Sequence, residues 1–455
     1  MKTQENNLAS ASIPKLLLSL ALPAVTAQIV NLLYNMVDRM YIGHIENIGA
    51  TALTGLGVAT PIIIIVSAFS SLIGMGGAPR AAIMMGKKEN EAAEEILGNC
   101  VTALFIISLI LTAVFIAFAK PLLMMFGASE TTLPYAQSYL SVYACGTIFV
   151  QFALGLNMFI TTQGFAKTSM LTVIIGACLN IILDPIFIFG FGMGVRGAAL
   201  ATIISQAVSA VWVVSFLCGK KTNLKIRKKY LRPKLGVILP VLALGVSPFI
   251  MQSTESLLSV CFNTSLLKYG SDVTVGAMTV ISSTAQIAML PLVGMSQGAQ
   301  PIISYNFGAK NIDRVKQTFK LLFIISVAFS TVFWLFIQLA PQVFVKIFTN
   351  DTELVKTTVW AIRIYAAVLC LQGIQIACQQ TFVALGNAKY SLFLALLRKI
   401  ILLIPLIYIL PAMIADKLFA VFLAEPVADF MAVSITAIVF FTQFYKLCKT
   451  IKDNN

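Results

Sequence analysis

A succession of apolar runs, each long enough to cross a bilayer and almost free of charge, limits this chain more than any other feature. A membrane-crossing helix needs about 20 mostly apolar residues. About twelve such runs occur, over 14–42, 50–78, 95–119, 131–160, 168–190, 196–218, 236–268, 274–304, 315–340, 352–384, 390–411 and 417–445. Several exceed a straight crossing and must tilt or project beyond the bilayer. Lipid offers the backbone no hydrogen-bond partner, so runs of this kind are expected to be helices. Charged residues make up 11% of the chain, whereas soluble proteins carry about 25%. A chain this long cannot cover itself with a solvated surface.

The net charge of +14 does not point to nucleic acid, because the basic residues form short clusters between apolar runs. The densest cluster is "KKTNLKIRKKYLRPK", residues 220–234. One side of the alternating topology holds 24 of the 32 Lys and Arg residues, counting Arg398 and Lys399, which fall within the 390–411 run. By the positive-inside rule that side is cytoplasmic. Both termini are then cytoplasmic, in a multi-pass protein of the cell (inner or plasma) membrane. The eight cysteines are scattered singly with no CxxC pair. They read as small packing residues rather than disulfide or zinc ligands. His44 follows Gly43 at the end of the first run, and one histidine cannot build a metal site. The N-terminal "MKTQENNLASASIPK" shows no clear cleavage site and is expected to stay ahead of the first span.

The chain repeats itself. "PRAAIMMGKK" at 79 and "PIISYNFGAK" at 301 share Pro, Gly and Lys at an offset of 222. "GFAKTS" at 164 and "GNAKYS" at 386 share Gly, Ala, Lys and Ser at the same offset. The unit is about six spans, an even number, so both halves share one orientation. The expected fold is an all-α integral membrane protein with twelve transmembrane helices in two pseudo-symmetric six-helix lobes. The lobes are 1–218 and 236–455, joined by a basic cytoplasmic linker over 219–235, with a cavity between them.

An aspartate at a helix centre costs roughly 2.5–3.5 kcal/mol on insertion scales, so acids inside spans are functional candidates by default. Five acids lie in or near the runs: Asp38, Asp184, Glu255, Glu425 and Asp429. Asn31, Tyr34, Asn35 and Asp38 fall at i, i+3, i+4 and i+7 and share one helical face. Asn180 and Asp184, at i and i+4, share another. Pro185 removes a backbone N–H and clashes with the carbonyl four residues back, which frees an oxygen near the carboxylate. The segment "LNIILDPIFIFG" thus reads as one wall of an oxygen-rich pocket. A structural bond from Asp184 to a neighbouring helix or Arg is the alternative.

Asn31, Asn35, Gln252, Glu255, Gln372 and Gln375 are candidates for a substrate cavity, although polar glue between helices also accounts for glutamines. Glu425, just before Pro426, and Asp429 one turn on are expected to cap or hinge the last span. At the offset of 222, Asn180 and Asp184 map to Leu402 and Leu406, so any ion site belongs to the first half. There is no Walker A loop, HExxH or GxSxG motif. Neither an enzyme nor a resident cofactor is expected.

These residues together resemble the multidrug and toxic compound extrusion (MATE) transporters over essentially the whole chain. The resemblance is carried by Asp38 near the end of the first span, "NIILDP" at 180–185, the small-residue-rich "GMGGAPRAAIMMGKK" from 74, and the repeat of six spans. It implies a V-shaped pair of lobes exporting organic cations in exchange for H⁺ or Na⁺. It also implies a first-lobe cation pocket of Asp38, Asn180, Asp184 and Thr202, with Tyr34, Tyr139, Asn157 and Pro185 nearby. Glu255 matches a second-lobe acid of other members, but "YAAVLCLQGIQIACQQ" in the tenth span lacks the usual partner acid.

The expected partners are therefore small-molecule organic cations and membrane lipids, not nucleic acid, with the chain a monomer. Two close carboxylates could share a proton, and the same oxygens suit Na⁺; the sequence leaves both open. A lipid-linked precursor flippase is the alternative function, and it would want central basic residues for pyrophosphate. A non-transporting receptor would leave the buried acids without a role.

Overall fold

The computed structural model describes residues 5–349 and 351–453, and Lys2 of the orientation count lies outside them. Among the described residues ten helices are long and apolar enough to cross a membrane, and two bent pairs, each taken as one span, bring the number to twelve. In chain order they cover Ile13–Gly43, Gly49–Gly86, Asn90–Ala117, Leu133–Thr162, Ala166–Gly190, Val195–Cys218, Leu235–Tyr269, Asp272–Gly308, Ile312–Leu339, Thr352–Ala384, Ala388–Met413 and Lys417–Asp453. Each expected run falls in its own span. The second span corrects one boundary: it continues through Pro79 and Arg80 to Gly86, because Pro79 is accommodated inside a regular, tightly packed helix.

The repeat is visible in the backbone. The third and ninth spans begin at Asn90 and Ile312, the fifth and eleventh at Ala166 and Ala388, the sixth and twelfth at Val195 and Lys417. Each pair keeps the offset of 222. The turns between spans repeat as well. Gly164 and Gly386 hold φ of 89° and 72°, and Lys88 and Lys310 hold 66° and 57°. A left-handed lysine is uncommon, so its recurrence at matched positions marks one turn design used twice.

The two bends are also matched. The fourth span breaks by 60° between Cys145 and Thr147, and the tenth by 48° between Tyr365 and Leu369. A break strands backbone carbonyls, which lipid cannot satisfy. Thr112 Oγ1 of the third span donates to Ala144 O at 2.8 Å. Its counterpart in the ninth span, Trp334 Nε1, donates to Ala367 O at 2.9 Å, and Ser330 Oγ donates to Cys370 O at 2.7 Å.

Glycines let the two halves approach each other through backbone. A Cβ on Gly86 would lie 2.0 Å from Tyr305 O, and one on Gly308 would lie 2.0 Å from Ile83 O. These two contacts exchange under the repeat. Gly76 meets Val241 O of the seventh span in the same way, and Gly298 meets Ala21 of the first. The seam runs along the ends of the second and eighth spans that lead into the basic turns at Lys87–Lys88 and Lys310. Away from it, the first span exposes Leu33, Met36 and Met40, and the seventh exposes Leu257 and Val260.

The 219–235 segment is docked rather than loose. Gln163 Oε1 accepts from Thr222 Oγ1 and from the N–H groups of Asn223 and Leu224 at 2.8–2.9 Å. Arg227 pairs with the buried Glu94 of the third span. Asn99 Oδ1 accepts from Lys234 N at 2.6 Å, and Asn99 Nδ2 donates to Tyr230 O at 3.3 Å. Gly98 leaves room for Tyr230, whose Cβ would lie 2.7 Å from an added Cβ.

Candidate functional site

The first six spans bring four of the sequence candidates together from three helices. Asn180 Nδ2 donates to Asp184 Oδ1 and to Thr202 Oγ1, each at 3.3 Å. The Asp38 carboxyl of the first span comes within hydrogen-bonding reach of the Asp184 carboxyl. Tyr139 of the fourth span packs beside Thr202. Asp184 is fully buried, and Asp38, Asn180, Thr202 and Tyr139 are each less than a tenth exposed.

Local sequence explains the arrangement. The fifth span turns one face outward through Ile182, Ile186 and Phe189 and the opposite face inward through Asn180 and Asp184. Directly after Pro185 the helix widens into a π turn over Ile186–Gly190. A proline supplies no N–H to the carbonyl four residues back, and π turns are frequent at functional sites. The widened turn packs on the start of the sixth span, where Gly197 lies against the Phe187 carbonyl, and so fixes Thr202 opposite Asn180.

Several buried oxygens here lack a hydrogen-bond partner: Asp38 Oδ1, Asp184 Oδ2, Asn180 Oδ1, Asn157 Oδ1 and Ser205 Oγ. Buried polar atoms are nearly always satisfied, so such a group points to a ligand. Two carboxyls, an amide oxygen and hydroxyls are hard donors that suit Na⁺. Two carboxyls within hydrogen-bonding reach also suit a shared proton, since ionised carboxylates can only accept. A cavity of about 40 Å³ adjoins the group, lined by Asn31, Tyr34, Asn157, Gly176, Asn180 and Thr202 among others.

The remaining candidates are placed as follows. Asn35 is exposed and donates to its own helix at Asn31 O, 2.6 Å away. Gln252 accepts from Ser71 Oγ of the second span at 3.3 Å, and so links the halves. Glu255 is ion-paired with Lys399, which also donates to Met251 O at 2.8 Å. Gln372 donates to Asp429, and Gln375 to Gln379 at 3.1 Å. Glu425 and Asp429 do not cap a helix, because both lie inside the twelfth span. Arg398 bonds Asp429 at 2.6 Å and Glu425 at 3.2 Å. Sequence reasoning had no signal for the Lys399–Glu255 pair, whose members are 144 residues apart.

The MatE family model matches residues 23–186 and 248–409, the two repeats in turn. The multidrug export protein MepA of Staphylococcus haemolyticus (strain JCSC1435) is 24% identical, over 93% of this chain and 93% of its own. MepA of Staphylococcus aureus (strain NCTC 8325 / PS 47) is 24% identical, over 92% of this chain and 93% of its own. Among solved structures, the MATE multidrug transporter DinF-BH is 36% identical with a TM-score of 0.89, covering 97% of this chain and 98% of that one. A MATE protein in the bent conformation superposes with a TM-score of 0.92 at 22% identity, covering 99% of this chain and 100% of that one.

Proposed function

We propose the following function for a chain that belongs to the MatE family: secondary active export of organic cations and related xenobiotics, by antiport with H⁺ or Na⁺. The relatives it resembles over nearly their whole length are multidrug exporters by name. The observation that carries the coupling is the buried group of unpartnered oxygens around Asp38, Asn180 and Asp184. A cation or proton entering it restores the missing hydrogen bonds or ligands, and its departure leaves them open. The occupied and unoccupied states therefore favour different packing of the first, fifth and sixth spans. Drug export follows when only one of those packings holds drug, which is the differential affinity that any coupled exchange requires.

In this reading residues 1–218 and 236–455 form the two lobes, 219–235 joins them, and both termini are cytoplasmic. The glycine seam then closes the cytoplasmic end. Export of a lipid-linked pyrophosphate gains no support, because Arg398 and Lys399 are engaged by Asp429, Glu425 and Glu255. The test is dye export in everted vesicles with pH and Na⁺ gradients imposed separately. Export driven by at least one gradient is expected. Export that needs neither gradient and stops only when ATP is withdrawn would overturn the proposal.

A further inference from the structure

The second lobe carries a buried charge cluster that the proposed function does not use. Under the offset of 222, Gly176 and Ala177, which line the first-lobe cavity, become Arg398 and Lys399. Where the first lobe leaves a hollow, the second fills the matching place with two cationic side chains. These sit on a π turn over Leu397–Leu403. The groups facing them come from three other spans: Glu255 from the seventh, Tyr365 and Gln372 from the tenth, and Glu425 and Asp429 from the twelfth.

The pairing within the cluster is uneven. Lys399 is taken by Glu255 and Met251 O. Arg398 alone then faces two carboxylates, Asp429 at 2.6 Å and Glu425 at 3.2 Å. Their side chains are only 7% and 11% exposed, and that of Arg398 is 15% exposed. One guanidinium between two ionised carboxylates leaves a buried negative charge without a partner, which membrane-spanning helices do not tolerate unless it is neutralised.

A second observation is independent of this charge count. Gln372, 2% exposed, donates its Nε2 to Asp429 Oδ2 while its Oε1 has no partner. An amide beside a carboxyl can serve either protonation state, because its nitrogen donates to a carboxylate and its oxygen accepts from a carboxylic O–H. The spare Gln372 oxygen is what a protonated neighbour would need.

We propose that Glu425 and Asp429 share one exchangeable proton across Arg398, forming a second proton-binding site in the second lobe. The chemistry is simple: one of the two carboxylates takes H⁺ from water and returns it. As in any closely coupled pair, the proton belongs to both carboxyls rather than to one. The cluster reaches the surface through Glu255, whose side chain is 61% exposed.

The experiment uses the full-length protein reconstituted in phosphatidylcholine vesicles. Infrared difference spectra between neutral and alkaline pH read the protonated-carboxyl band, a range in which ordinary surface carboxylates are already ionised. The background is Asp38→Asn/Asp184→Asn, which removes the first-lobe carboxyls. The result therefore does not depend on the coupling proposed for them. One band per chain is expected, lost at alkaline pH. It should vanish on adding either Glu425→Gln or Asp429→Asn, since one remaining carboxylate pairs evenly with Arg398. Either variant suffices if the other fails to fold. The proposal is overturned by absence of the band in the background protein, by its survival in a folded Glu425→Gln or Asp429→Asn variant, or by its loss on adding Na⁺ at constant pH.

Discussion

Substituting Gly245 with alanine should open the seam between the second and seventh spans, and the structure gives the size of the effect. Gly245 of the seventh span faces the second, and a Cβ there would lie 1.7 Å from Leu72 O, whereas ordinary contact begins at 3.4 Å. The two helices must therefore part by about 1.7 Å, the difference between those distances. Backbone cannot yield as a side-chain tip does. Overpacking of this kind costs typically about 1–3 kcal/mol. If that strain falls only on the closed seam, the population of the parted state rises roughly 5–150-fold. Hydrogen–deuterium exchange by mass spectrometry reads this directly, because amide exchange tracks the population of opened states. Peptides covering 70–80 and 237–249 should exchange faster by that factor, with the fifth span unchanged. Gly57→Ala, also in the second span, is the control, because nothing lies within 4 Å of its added Cβ. If Gly245→Ala exchanges no faster than Gly57→Ala, the seam is not held by backbone contact and the argument fails.

Three further outcomes follow from individual contacts. Pro185→Ala restores an N–H to the fifth span and should regularise the π turn over Ile186–Gly190; dye efflux should slow while equilibrium dye binding is kept. Glu255→Gln removes the carboxylate that pairs with the buried Lys399 ammonium, so thermal stability in detergent should drop, and adding Lys399→Met should restore it. Gln163→Ala strands the N–H groups of Asn223 and Leu224 at a cost of about 1–3 kcal/mol each, so trypsin should cut the 219–235 segment faster than in wild type.

The sequence disclosed most of the architecture because lipid permits so few solutions. An apolar run of sufficient length has no choice but helix, and two short motifs 85 residues apart at one offset revealed the repeat. The oxygen-rich pocket was half legible. Asn180 and Asp184 are one turn apart on one helix, and their shared face followed from spacing alone. Thr202 and Tyr139 sit on other spans, and only family resemblance could nominate them. Arg398, Glu425 and Asp429 were each conspicuous as charges in apolar runs, yet nothing in one-dimensional spacing says that an arginine of the eleventh span will lie between two acids of the twelfth. Gln163 gave no signal at all, because a glutamine at a span end looks like any solvated residue until three donors converge on it. The bend at Gly146 was likewise hidden inside an unbroken apolar run.

The central claim is that the Asp38–Asp184 group couples ion movement to drug export. Asp184→Asn tests it most directly, since it removes a carboxylate while keeping the shape of a fully buried side chain. One vesicle preparation should be measured twice: for equilibrium binding of a cationic dye, and for export of that dye against its gradient under imposed pH or Na⁺ gradients. Dye binding should be largely retained, and uphill export should be lost under both gradients. Uphill export by Asp184→Asn with the ion dependence of the wild type would contradict the account and leave the first-lobe group a structural feature.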